Sequence, residues 1–451
     1  MFRSRALAGA ATFILLAGCS GGDSGIPPSG GYTVGDEPLA VRAGANVLAS
    51  GGSATDAAAA MYFTLAVTYP VAAGLGGGGL CVVHDAASGR NEEFDFLPRD
   101  ASGGGAYAVP GNVSGFALMQ SVYGRLPWQR VVAPGESYAA TGFPISAALA
   151  ARLTPAENVV RLDASLAAEF MDESGHVKQA GAIVSNPDLG RTLTQVRTQG
   201  PDGFYKGRVA GQIIGYSSSQ SGAVGGGDLA AYQASRGTPQ VIQVGDQVAY
   251  LAPARTGAGA FAGSLLSTLS GSNGALAAGE SSNSAVGSAV KRALDQYGVK
   301  SLPQDLGATG FAAVDASGQA VACAVTMNGP FGSGHTAQGT GVTLAGSPSA
   351  GQAGLAAAFL TPIVATDGNG GSVTLAGAGA GGPNGTASIA YALVKLASGA
   401  SLSQPGDLRS TGMAPYDTVN VIACQSGTCA ALPDPAAHGY GAAAGDVASG
   451  N

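Results

Sequence analysis

The sequence predicts an α+β fold of layered helices and sheets, on three observations. Two apolar helical stretches follow one another near the N-terminus, and glycine-turned hairpins fill the second half. The composition also supports a large core, since 45% of the 451 residues are apolar and only 11% are charged. The 74 glycines show no fixed period, which excludes a collagen-like chain. A net charge of −7 with no Lys/Arg cluster excludes the basic face that nucleic-acid binding requires.

Residues 1–18 read as a targeting segment, because Arg3 and Arg5 precede an apolar run too short to span a bilayer. Leu16-Ala17-Gly18-Cys19 resembles the lipobox of bacterial lipoproteins, in which the signal is cut before the cysteine and the cysteine is acylated. An ordinary cleaved signal with a stray cysteine is the plainer alternative. With Ser20 next, the resemblance implies an exported protein, lipid-anchored through Cys19 on the periplasmic side of the outer membrane. Residues 19–35 are rich in Gly, Ser and Pro and read as a flexible tether.

Apolar residues at helical spacing predict a helix over 38–50, stopped by Gly51-Gly52. Ser53 is a good N-cap for a second, almost wholly apolar helix over 54–68. A glycine-rich turn over 74–79 leads into a buried strand over 80–84, and Ser88-Gly89 turns the chain into a partner over 93–96. Helices are expected over 113–123 and 129–140, the latter weakened by Pro134-Gly135, with others near 145–152 and 193–199. Further on, 311–315 and 320–326 read as a hairpin around Ser317-Gly318, 363–365 and 372–375 as another, and 386–396 as an amphipathic helix. The Gly/Ser/Ala-rich run 270–288 reads as a surface connection. Periodicity does not specify how these layers stack.

Four cysteines follow Cys19. Cys424 and Cys429 flank a turn-like run between two apolar runs, so a cross-strand disulfide is expected outside the cytosol. Cys81 and Cys323 lie in apolar runs and read as buried, inert thiols. His84, His176, His335 and His438 show no ligand spacing, so neither a metal nor another cofactor is expected.

Several segments, in order, resemble the gamma-glutamyltranspeptidase family. They are Ala45-Asn46-Val47-Leu48 through Gly51-Gly52-Ser53-Ala54-Thr55-Asp56-Ala57-Ala58, then Thr68-Tyr69-Pro70 and the glycines over 74–79. Val109-Pro110-Gly111 with Gly115-Phe116 follows, then Gly203-Phe204-Tyr205-Lys206-Gly207 and Gly227-Asp228-Leu229. Last come Ala313-Val314-Asp315, Thr326-Met327-Asn328 and Phe331-Gly332-Ser333-Gly334. The resemblance implies the four-layer αββα sandwich of N-terminal nucleophile (Ntn) hydrolases. It also implies self-cleavage into a large-subunit-like region, 36–307, and a small-subunit-like region, 308–451, that stay together as a two-chain heterodimer. The new N-terminal threonine would attack a gamma-glutamyl amide such as glutathione. Its hydroxyl is a weak nucleophile, and its freed α-amine is a neighbouring base with a pKa near neutrality. Gly381-Gly382 would supply the oxyanion-stabilising N–H groups, or would be a plain turn before a helix.

The chain departs from that pattern where the chemistry lies. Counting back from Val314-Asp315 puts Ala308 at the nucleophile position and Thr309 one place later. Thr309 serves only if the cut moves to the Ala308–Thr309 bond; otherwise it is a β-branched strand residue. The family's substrate arginine directly follows a D-F or D-Y pair, whereas here Arg99 arrives two residues late, after Leu97-Pro98. It either re-aims across the proline or is an ordinary solvated arginine. The family's N-N-x-x-D-D segment falls over 345–350, which has no carboxylate, and of its S-S-M-S-P run only Thr361-Pro362 survives. Thr326 and Asn328 match positions that assist processing and substrate binding. Two functions remain open: an amidohydrolase or acyltransferase using Thr309, or a degenerate pseudoenzyme acting as a binding or scaffold lipoprotein.

Overall fold

The computed structural model describes residues 30–220, 222–270, 291, 295, 301–350, 353–368, 371–408 and 415–448. The targeting segment, Cys19 and most of the expected 270–288 connection lie outside them. Strand β1 (Gly31–Gly35) leads into helices α1 (Pro38–Ala49) and α2 (Ala54–Thr68), then strands β2 (Gly78–Asp85) and β3 (Arg90–Phe96). Helices α3 (Asn112–Tyr123), α4 (Trp128–Thr141), α5 (Ala147–Leu153) and α6 (Pro187–Gln199) follow. After them come β4 (Ser235–Gly237), β5 (Gln240–Val244), β6 (Gln247–Leu251) and α7 (Gly257–Ser270). The last part holds β7 (Ala308–Asp315), β8 (Ala320–Thr326), β9 (Thr361–Asp367), β10 (Val373–Ala380), α8 (Pro383–Ala397), β11 (Thr418–Gln425), β12 (Thr428–Leu432) and β13 (Tyr440–Ala443).

Two antiparallel sheets stack face to face. One runs β13-β1-β7-β8-β2-β3-β4 and the other β12-β11-β10-β9-β6-β5. Alternation along β7 explains the layering: Ala312 and Val314 pack on Val364, Ala376 and Ile422 of the facing sheet, while Phe311 and Ala313 join the helical core. The helices around α2 cover the outer face of the first sheet, and α7 and α8 cover the second, giving the four-layer αββα sandwich of the Ntn-hydrolase type. Ser53 starts α2 with a reciprocal cap: Asp56 N–H donates to its Oγ (3.1 Å) and its own N–H to Asp56 Oδ2 (3.0 Å). All of α2 is buried, as its lack of a polar face requires. Pro134 does not end α4, and Gly135 lets it close on α2, where an added Cβ would stand 2.2 Å from Phe63 O.

Two expectations need correcting. The tether does not extend to residue 35, because Gly31–Gly35 is a strand paired with β7 and β13. Val34 enters the core between the sheets and Thr33 Oγ1 donates to Val41 O (3.0 Å), so a run that looks like linker supplies a strand. Cys81 and Cys323 are not free thiols. They face each other across β2 and β8 and are joined, with Cα atoms 4.2 Å apart. A sequence separation of 242 residues hid that pairing. Cys424 and Cys429 are joined across β11 and β12.

Candidate active site

Strand β7 begins at Ala308, at one end of the sandwich. The Ala308 methyl is buried among Leu80, Ala324, Ala378 and Ala380, so the position matching the family nucleophile is an apolar contact between the sheets. Strand β1 stops opposite Phe311, which leaves the carbonyls of Ala308 and Gly310 without a strand partner on that side. Buried carbonyls need donors. Arg152 Nη1 donates to Ala308 O (3.1 Å) and Asn420 Nδ2 to Gly310 O (2.9 Å).

Between these donors lies Asp36, the residue after β1. Thr309 Oγ1 donates to its Oδ2 (2.6 Å), while Thr418 Oγ1 (2.5 Å) and Asn420 Nδ2 (2.7 Å) donate to its Oδ1. Burial pushes the Asp36 carboxyl above its ordinary range, these three hydrogen bonds oppose the rise, and nearby Asp434 adds to it. The Ala308–Thr309 peptide therefore carries a guanidinium on its carbonyl oxygen, and the hydroxyl that follows it rests on a carboxylate.

Arg152, from α5, is 4% exposed. Its Nε donates to Asp305 Oδ2 (3.0 Å) and its Nη2 to Asp305 Oδ1, a bidentate pair. Its guanidinium also lies against the rings of Tyr69 (5.4 Å) and Tyr416 (5.7 Å). A cavity of about 30 Å³ runs along Asp36, Tyr69, Arg152, Tyr416 and Thr418. That is room for an ordered water among polar partners.

The other expected site residues fall in two places. Thr326 Oγ1 donates to Gly307 O (3.0 Å) and accepts from Asn328 N–H (2.9 Å), so it grips the backbone just ahead of Ala308. Asn328 has φ +58°; its Nδ2 donates to Gly346 O (2.9 Å), and its buried Oδ1 has no partner among the described residues. Gly381-Gly382 link β10 to α8, just past Ala378 and Ala380, which share the apolar cluster of Ala308. Gly381 has φ +84°, and a Cβ there would meet Tyr416 O at 2.0 Å, so the bend requires glycine.

Arg99 lies elsewhere. It is exposed, lies 4.6 Å over the Tyr232 ring and donates to Gln233 O (3.1 Å). Its neighbour Asp100 instead accepts from Ser347 Oγ and from Ser349 N–H (3.0 Å), so a carboxylate from outside 345–350 meets that segment. Sequence reasoning missed Asp36, Asp100, Arg152 and Asp305. They share no motif: the ends of β1, β7 and α5 bring Asp36, Arg152 and Asp305 to one peptide bond, while Asp100 meets the 345–350 segment.

A family model described as gamma-glutamyltranspeptidase matches residues 40–295. The glutathione hydrolase proenzyme of Pseudomonas aeruginosa is 31% identical over 245 residues, covering 50% of this chain and 43% of its own length. That of Escherichia coli is 33% identical over 225 residues, covering 45% and 38%. The chain thus spans less than half the length of these relatives. Among solved structures, a cephalosporin acylase from Bacillus halodurans superposes with a TM-score of 0.76 over 92% of this chain and 95% of its own, at 18% identity. The gamma-glutamyltranspeptidase of Helicobacter pylori does so with a TM-score of 0.52, at 27% identity, over 58% and 82%.

Proposed function

The chain belongs to the gamma-glutamyltranspeptidase family, and from that premise we propose that it is a self-cleaving hydrolase or acyltransferase of a gamma-glutamyl or related amide, with Thr309 as nucleophile. The observation that carries this reading is the Ala308–Thr309 peptide itself, with its hydroxyl on Asp36 and its carbonyl oxygen on Arg152. Asp36 takes the hydroxyl proton as Oγ1 attacks the Ala308 carbonyl carbon, and Arg152 stabilises the oxyanion. The C–N bond then breaks, the proton passes to the Thr309 nitrogen, and an ester joins Ala308 to Thr309 Oγ1. Water hydrolyses that ester, leaving a carboxylate on Ala308 and a free amine on Thr309. The amine then serves as base for the hydroxyl in turnover. An exposed Arg99 and the absence of a carboxylate within 345–350 favour a substrate other than ordinary glutathione.

We place the protein in the cell envelope, lipid-anchored through Cys19, and its two disulfides suit an oxidising compartment. The Cys81–Cys323 bond joins the two sides of the proposed cut, so the heterodimer is covalent until reduced. Intact mass after reduction, with N-terminal sequencing, tests the reading: two chains are expected, the second beginning at Thr309. A second reading, a pseudoenzyme that binds or scaffolds, is favoured by the Ala308 methyl in its apolar cluster and by the outward placement of Arg99. A reduced chain that stays whole decides for it.

A further inference from the structure

Arg152 is better equipped than a structural arginine needs to be. A buried guanidinium costs several kcal/mol of desolvation and must stay paired. Both of its strongest partners, Asp305 and Ala308 O, lie on the last residues before the proposed cut. Tyr69 and Tyr416, which flank it, lie elsewhere in the chain and line the same cavity. Departure of the tail ending at Ala308 would remove the carboxylate and the carbonyl together. It would leave an unpaired guanidinium, walled by two tyrosines, beside the new Thr309 amine. Such a group captures a carboxylate of matching fork geometry.

We infer that Arg152 is the carboxylate-binding group of this site, held closed by Asp305 acting as an internal stand-in for ligand and opened when the tail leaves. The ligand class is a small organic carboxylate whose acyl end reaches Thr309. The opening step rests on the proposed cut, but the carboxylate site can be tested without it.

In a T309A background, which keeps the chain whole, D305G deletes the stand-in side chain and leaves its volume open against Arg152. Melting is then followed with acetate, which matches the deleted group, and with uncharged acetamide, with chloride at equal ionic strength as the blank. Roughly 100 mM acetate is expected to raise the melting temperature of T309A/D305G by about 3 °C or more. Acetamide should have no effect, and adding R152Q should abolish the acetate response. The two-chain wild type is expected to respond as D305G does, and uncut T309A should not. A D305G chain that folds only with acetate present supports the site equally. One that folds and ignores acetate, or stays unfolded in it, overturns the inference. An uncut wild type overturns the cleavage reading alone, since the T309A arms do not depend on it.

Discussion

The two ends of the sandwich solve opposite problems. At the β7 start, a cavity of only about 30 Å³ is ringed by buried polar groups, and Asp36, Arg152, Asn420 and Thr418 cap carbonyls and hydroxyls left by the early end of β1. At the other end, the hairpin turns around Ala86, Ser317, Asp367 and Ser426 enclose a cavity of about 430 Å³, stapled by Cys424–Cys429. The larger cavity would be the first guess for a ligand site on size alone. Polar groups lining it already have partners, however: Asp367 accepts from Gly371 N–H (3.0 Å) within its own turn, and Gln425 donates to Ala400 O (3.0 Å) beyond the end of α8. The tight end concentrates a carboxylate, a guanidinium and a hydroxyl on one peptide bond. The proposed chemistry rests on that convergence, not on cavity volume.

Substitutions at the two ends should therefore differ in kind. T309A should abolish the second chain, and D36N should slow its appearance by about 100-fold or more, the usual scale for a lost general base, read on reducing gels over time. Because burial raises the Asp36 carboxyl, cutting should also quicken as pH rises and that group ionises. Equal cutting in D36N would remove Asp36 from the account. R152Q breaks a buried pair and should cost about 3–5 kcal/mol in urea unfolding.

Glu37, beside Asp36, accepts from Ala40 N–H (2.8 Å) and Thr68 Oγ1 (2.8 Å), and burial lifts its carboxyl to about 7 against those bonds. A raised acid binds its proton more tightly when folded, so stability should fall as pH climbs from about 4.5 to about 7, by up to about 3 kcal/mol. E37Q should flatten that slope in melts at pH 5 and 8, and an unchanged slope would assign it to other groups. At the turn end, C424S/C429S opens only a short loop and should cost about 2 kcal/mol or less, with cutting unaffected. A large loss of cutting there would couple the two ends.

Local signals were legible and distant ones were not. Helix α2 runs over the very residues that Ser53 capping and apolar content indicate, and the β7–β8 hairpin turns at Ser317-Gly318 as its pattern requires. The order of glycine motifs gave the family, and with it the layer stacking that periodicity left open. Strand β1 reads as tether because five residues with two glycines carry no alternation strong enough to announce a strand. The site was half legible. Ala308 and Thr309 follow from counting along one strand, whereas Arg152 and Asp305 lie 153 residues apart, and Asp36 and Thr309 lie 273 apart. Such pairs are set by where strands end in space.

The measurement that bears most directly on the central claim is the mass of the purified protein before and after reduction, with sequencing of any new N-terminus. The account predicts one disulfide-linked species that reduction separates into two chains, the second starting at Thr309. A single chain of unchanged mass after reduction would contradict it.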